Sequence, residues 1–220
     1  MYRYALVSSA MLIRLSIGIS FTIAFVLSVI AYNVEFFDWE VSLSRWVQRF
    51  DLGPFAFVKG WIFWMGVRGI AGTVMVVICV LFWIIRKRLE AVFLILISVA
   101  DIFNMFLKEF IGRPRPTDEF IDVVIGYGGI QGSSFPSGHG VHIVLFYGFL
   151  LYLARRQIKN GTIFNVLLLS GICYMLLSGV WLIYDGRHWL TDVLGGYSYG
   201  AFYLLIFISI YRRFVNKISE

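Results

Sequence analysis

Three short polar groups interrupt a chain that is otherwise strongly apolar. The first runs from Lys108 to Pro116 (KEFIGRPRP), the second is Pro136-Ser137-Gly138-His139, and the third runs from Arg187 to Asp192 (RHWLTD). Lys108, Arg113 and Arg115 form a basic corner suited to phosphate, because arginine offers a planar fork of donors and lysine a point charge. Ser137 and Gly138 stand at the head of an apolar run. A helix beginning there would present free N–H groups to an anion, and glycine would let a ligand approach the backbone closely. His188 and Asp192 are spaced i, i+4, which puts them on one face of a helix, where a carboxylate orients an imidazole and raises its basicity. Two histidines beside a cluster of cations suit phosphoryl transfer. One attacks phosphorus, the other protonates the leaving oxygen, and fixed positive charge stabilises the equatorial oxygens.

Each residue also has a plainer reading. Lys108 and Arg115 would serve as interfacial anchors by snorkelling. Ser137 would serve as a helix N-cap. His139 alone would be a structural histidine. His139 and His142 have a spacing that suggests metal, yet no Glu or Cys joins them, so His142 is read as a packing residue or a support behind the site. Asp101 and Asn104 precede Lys108 by seven and four residues, share its helix face, and are read as its polar support. Asp118 and Glu119 are either solvated loop charges or partners of the basic corner. The GYGGIQG stretch lacks the Gly-Lys-Ser/Thr ending of a phosphate loop and is read as a flap over the site.

The elements that must position these groups follow from composition. The 220 residues are 60% hydrophobic and 15% charged, against about 45–50% and 25% in soluble domains. The excess spreads over the whole length, so the chain reads as one all-α, polytopic membrane domain, residues 1–220. Six spans are expected, at 8–32, 62–85, 90–110, 138–154, 162–184 and 190–211. Between the first two, VSLSRWVQRF alternates Trp, Phe and Leu with Arg and Gln, which suits a short helix lying in the interface. The net charge of +6 is assigned to cytoplasmic loops and an anionic substrate rather than to nucleic acid. RKR at 86–88, RRQIK at 155–159 and RRFVNK at 212–217 all face the cytoplasm if both termini are inside. The three polar groups then share the outer membrane–water interface. Cys79 and Cys173 lie in apolar runs and read as buried thiols, with no disulfide framework. The first apolar stretch has no clear small-residue cleavage site and is expected to be retained.

Lys-x6-Arg-Pro, then Pro-Ser-Gly-His, then His-x3-Asp, in that order between apolar spans, resembles the type-2 phosphatidic acid phosphatase superfamily. These are membrane lipid phosphate phosphatases whose fold is shared with vanadium haloperoxidases. The motifs run from Lys108 to Asp192, and the six-span layout extends the likeness over the chain. The resemblance implies His188 as a nucleophile forming a phosphohistidine, Asp192 as its orienter and His139 as the general acid. It implies Lys108, Arg115, Ser137 and the Gly138 backbone as the phosphate holders, with no metal and no cofactor. The substrate would be a phosphorylated membrane lipid, of the undecaprenyl diphosphate, phosphatidylglycerophosphate or phosphatidic acid type. The setting would be a bacterial cytoplasmic membrane.

One departure stands out. The family's third motif has Ser-Arg where this chain has Trp181-Leu182. Arg187, next to His188, is the first candidate substitute, and Arg68, among glycines in the second span, is the other. The missing arginine favours one alternative to the phosphatase, a non-catalytic lipid-binding or transport protein on the same fold; a lipid phosphotransferase also stays open, because the motifs do not show the acceptor. Neutral His188 and protonated His139 together imply a bell-shaped pH–rate profile. The oligomeric state is not legible.

Overall fold

The computed structural model describes residues 2–51, 68–123 and 132–218. Among these the chain forms seven α-helices: α1 (Tyr2–Asn33), α2 (Asp38–Gln48), α3 (Arg68–Ile84), α4 (Arg88–Ile111), α5 (Gly138–Gln157), α6 (Gly161–Tyr184) and α7 (Leu190–Ile218). The short helix expected after the first span is α2. Most of the GYGGIQG stretch and the start of the second expected span lie outside the described residues.

Helix boundaries follow from local chemistry. Gly112 ends α4 in the left-handed region, with φ 67° and its N–H donating to Lys108 O, a conformation that carries no side-chain penalty only in glycine. Asn160 caps α6 by accepting from Ile163 N. The last helix runs seven residues past the expected 190–211, because RRFVNK lies at its C-terminal end, where cations complement the helix dipole.

Among the described residues four stretches are long and apolar enough to cross a membrane: Met11–Asn33, Arg88–Ile111, Gly161–Tyr184 and Leu190–Lys217. In α3 the apolar stretch Gly72–Ile84 is shorter. The expected span at 138–154 is present as the 20-residue helix α5 but does not reach that apolarity. Its first turns carry His139 and His142 and its end carries Arg155 and Arg156. It tolerates them because it is the central helix, packed against α4, α6 and α7. Outward faces of the other helices are richly apolar, as in Phe103 (67% exposed), Phe106 (71%), Phe110 (77%) and Leu169 (63%). Contiguous surface of this kind is matched by lipid. The chain is an integral membrane protein.

The core lies where α4, α5 and α7 meet, around Phe93, Leu94, Ile97, Leu145, Phe149 and Tyr211. The α5–α7 contact is the most extensive among the described helices, and small residues make it possible. A Cβ on Gly196 would stand 2.5 Å from Ser137 O, so only glycine lets the start of α7 approach the start of α5. Ser137 N donates to Asp192 O at 2.9 Å, joining the two helix heads. The Arg113 side chain, just past α4, reaches Glu35 O just past α1 at 2.8 Å. The heads of α5 and α7, the ends of α1 and α4 and the helix α2 therefore gather at one end of the bundle.

Candidate active site

All three sequence groups converge at that end. His188 lies in the turn between α6 and α7 and is 3% exposed. Its Nδ1 is 3.5 Å from Asp192 Oδ2, and its Nε2 is 3.5 Å from Arg115 Nη1. One ring nitrogen thus faces a carboxylate and the other faces a cation. Burial holds the His188 imidazole well below its ordinary pKa, and the positive charges of Arg115, Lys108, His139 and Arg187 push it further down. The ring is therefore a neutral base with a lone pair at the physiological pH range.

Asp192 is fully buried. Its Oδ2 accepts from Trp189 N at 2.9 Å, and its Oδ1 accepts from Arg113 Nη1 at 2.6 Å. Arg113 is a correction to the sequence reading. It is not part of an open basic corner. Its side chain has no exposed surface. It donates to Thr191 Oγ1 at 2.6 Å and to Glu40 Oε2 at 2.9 Å, in addition to Asp192 and Glu35 O. Its fork is occupied by protein oxygens.

Arg115 straps two loops together. Its Nε donates to Gly132 O at 3.1 Å and its Nη1 to Arg187 O at 2.7 Å. Lys108 Nζ donates to Ser133 O and Ser134 O, at 2.9 and 3.1 Å. These carbonyls fix both cations within electrostatic reach of His188. Ser137 is buried and its side chain caps α5, accepting from Gly140 N at 3.3 Å. Gly138 sits over α4: a Cβ there would be 3.6 Å from Asn104 Nδ2 and 3.9 Å from Lys108 Cε. His139 is partly exposed in the first turn of α5 and close enough to act electrostatically on His188.

The supporting residues divide. His142 Nδ1 is 2.8 Å from Asp101 Oδ2, so these two pair with each other. Asn104 is 3% exposed, and its Oδ1 has no hydrogen-bond partner among the described residues. Asp118 and Glu119 are exposed. Arg187 Nε lies 3.7 Å from Asp185 Oδ2, and the residue adjoins the nucleophile candidate directly. Trp181 and Leu182, where the motif arginine is missing, are both 6% exposed. Leu182 packs with Ile183 and Val193 in a small apolar cluster of its own, with Val47, Leu190 and Tyr197 against it. Arg68 opens α3, and its side chain lies outside what is described. Cys79 is half-buried, but Cys173 is exposed on α6, against the buried thiol expected.

Sequence reasoning missed Glu40. It lies on α2 and is 0% exposed. It accepts from Arg113, from Thr191 N at 2.9 Å and from Thr191 Oγ1 at 2.7 Å. The available signal was its position in DWEVSLSRW, on the face shared with Val41 and Ser44, opposite Trp39 and Trp46.

Known proteins resemble this chain in sequence and in fold. Residues 89–216 match the PAP2 superfamily. Phosphatidylglycerophosphatase B of Bacillus subtilis (strain 168) is 31% identical over 140 residues, 61% of this chain; the match spans 63% of that relative's length. A solved structure, the first transmembrane PAP2 type phosphatidylglycerolphosphate phosphatase from Bacillus subtilis, shares the fold with a TM-score of 0.67. It is 23% identical, over 89% of this chain and 95% of that one.

Proposed function

This chain belongs to the PAP2 superfamily, and we propose that it removes phosphate from a membrane lipid phosphate, phosphatidylglycerophosphate first among the candidates. The observation that carries the reading is the His188 ring, held between Asp192 on Nδ1 and Arg115 on Nε2. The 31% identity to a phosphatidylglycerophosphatase supports the choice of lipid.

The geometry supports the following steps. Asp192 keeps the Nδ1 proton in place and leaves the Nε2 lone pair to attack phosphorus. The P–O bond to the lipid alcohol breaks as the P–N bond forms, and His139 gives its proton to the departing oxygen. Water then attacks the phosphohistidine, His139 takes a proton from it, and the P–N bond breaks to release inorganic phosphate. Arg115, Lys108, Arg187 and the head of α5 at Ser137 and Gly138 hold the phosphoryl oxygens. In this reading six helices span the membrane, both termini lie inside and the site opens at the outer interface of a bacterial cytoplasmic membrane. There the phosphate sits at headgroup level while the tail stays in the bilayer.

One observation favours a second reading, lipid binding without catalysis: Leu182 is buried in a small apolar cluster at the place of the motif arginine. Phosphate release by purified protein separates the two. A panel of lipid mono- and diphosphates is offered with a chelator present, and His188→Ala is run in parallel. Release that disappears in the variant supports the phosphatase, and the panel ranks its substrates. No release from any lipid supports the binding protein.

A further inference from the structure

We propose that Glu40, on the short helix α2, is a positioning residue for the His188–Asp192 pair, holding Arg113 and Thr191 so that Asp192 keeps its place and its negative charge toward His188. The inference rests on the reading of His188 as nucleophile. It adds an element outside the three motifs and outside the matched residues 89–216.

The argument begins with charge. Arg113 and Asp192 meet at 2.6 Å with both side chains fully buried. An isolated buried pair of this kind is neutral, and Arg113 would cancel the carboxylate that His188 needs. Glu40 meets the other end of the same guanidinium at 2.9 Å, also fully buried. One cation between two carboxylates leaves a net charge of −1 beside the ring. Attack through Nε2 places positive charge on the imidazole, and a net anion across Nδ1 stabilises it. Around the rest of His188 stand Arg115, Lys108, His139 and Arg187, all of which oppose that charge. The anionic trio is what the ring has against four positive groups.

Position comes next. Thr191 immediately precedes Asp192 at the head of α7. Glu40 Oε1 accepts both its N–H and its hydroxyl, at 2.9 and 2.7 Å. Arg113 Nη1 bridges Thr191 Oγ1 and Asp192 Oδ1. The first turn of α7 is thereby clamped by a carboxylate 151 residues away in sequence. Glu40 in turn is fixed by Phe37 N, which donates to its Oε2 at 3.2 Å across the first turn of α2.

The test is Glu40→Gln, which keeps the shape and removes the charge. It is assayed for phosphate release from phosphatidylglycerophosphate vesicles across pH, with thermal unfolding measured alongside. Removing the anion makes protonated His188 less favourable. The acid limb of kcat/KM therefore moves to lower pH, and kcat falls by about 10- to 100-fold with KM nearly unchanged. Glu40→Gln with Arg113→Gln restores the net charge of −1 and returns the acid limb toward its original pH. If Glu40→Gln unfolds, Thr191→Val removes the clamp and keeps the charges; its kcat falls and its acid limb stays. An acid limb unmoved in Glu40→Gln, or losses that simply add in the double variant, overturns the proposal. His188→Ala retaining activity overturns the underlying nucleophile assignment instead.

Discussion

Replacing Arg115 with methionine tests the phosphate cradle most sharply. Arg115 Nη1 stands 3.5 Å from His188 Nε2, so it lies beside any phosphoryl group bonded to that nitrogen. Two unit charges at that separation interact by about 5 kcal/mol at an effective dielectric of about 20. Removing one preorganised donor from a developing oxyanion costs about 2.7–4 kcal/mol, or roughly 10²–10³ in rate. The two scales agree, so kcat/KM should fall by about 10²–10³. Lysine keeps the charge and loses the fork that also engages Gly132 O and Arg187 O; Arg115→Lys should fall between wild type and methionine. A second signature accompanies the loss. After burial, Arg115 is the largest cause of the depressed His188 pKa. Its removal makes the ring easier to protonate, and the acid limb of the rate profile moves to higher pH. The assay is phosphate release from lipid vesicles across pH, normalised to folded protein by thermal unfolding. The lost bonds to two carbonyls also cost stability, about 1–3 kcal/mol at most. Folded Arg115→Met with a rate within threefold of wild type, or with an unmoved acid limb, would refute the reasoning.

Gly196→Ala should lower the unfolding midpoint and impair release together, because its Cβ would meet Ser137 O at 2.5 Å and push the two helix heads apart; overpacking of this kind costs about 1–3 kcal/mol. Gly140→Ala, whose Cβ meets its nearest neighbours at 3.3 Å, should be milder, and calorimetry of both variants checks the order. Stability should also decline on acidification. His188 is protonated in the unfolded chain below about pH 6.5 but resists protonation when folded, so the unfolded state binds more protons between its ordinary pKa and the depressed one. Stability from this group is complete above that range and is lost as pH falls through it, at up to about 1.4 kcal/mol per pH unit. His188→Gln should flatten the acid side of a stability-versus-pH curve by that slope.

Much of this arrangement was legible because it is local. Ser137 precedes a long apolar run and caps it, as its place in the sequence suggests. The i, i+4 spacing of His188 and Asp192 suggests one face of a helix; the two do meet, but His188 stands in the turn before α7 and the contact crosses the head of that helix. The all-α character followed from apolar runs separated by basic loops. What escaped was non-local. Arg113 and Arg115 have the same chemistry two residues apart, yet one turns inward to Asp192 and Glu40 while the other faces His188. No local rule separates them. Only the seat of α2 on the head of α7 decides it. Asp101 was assigned to Lys108 from a shared helix face, whereas its partner is His142 on a different helix. The helix α5 was read as one span among equals, and its polar first turns make sense only once its central position is known.

The most direct measurement is to trap the covalent intermediate. Purified protein is mixed with lipid phosphate carrying labelled phosphorus, quenched in alkali, which preserves phosphohistidine, and digested for mass spectrometry. The account predicts label on His188, present in wild type and absent from His188→Ala. Substrate turnover by wild type with label on another residue, or with none under conditions that trap a phosphohistidine control, would contradict it.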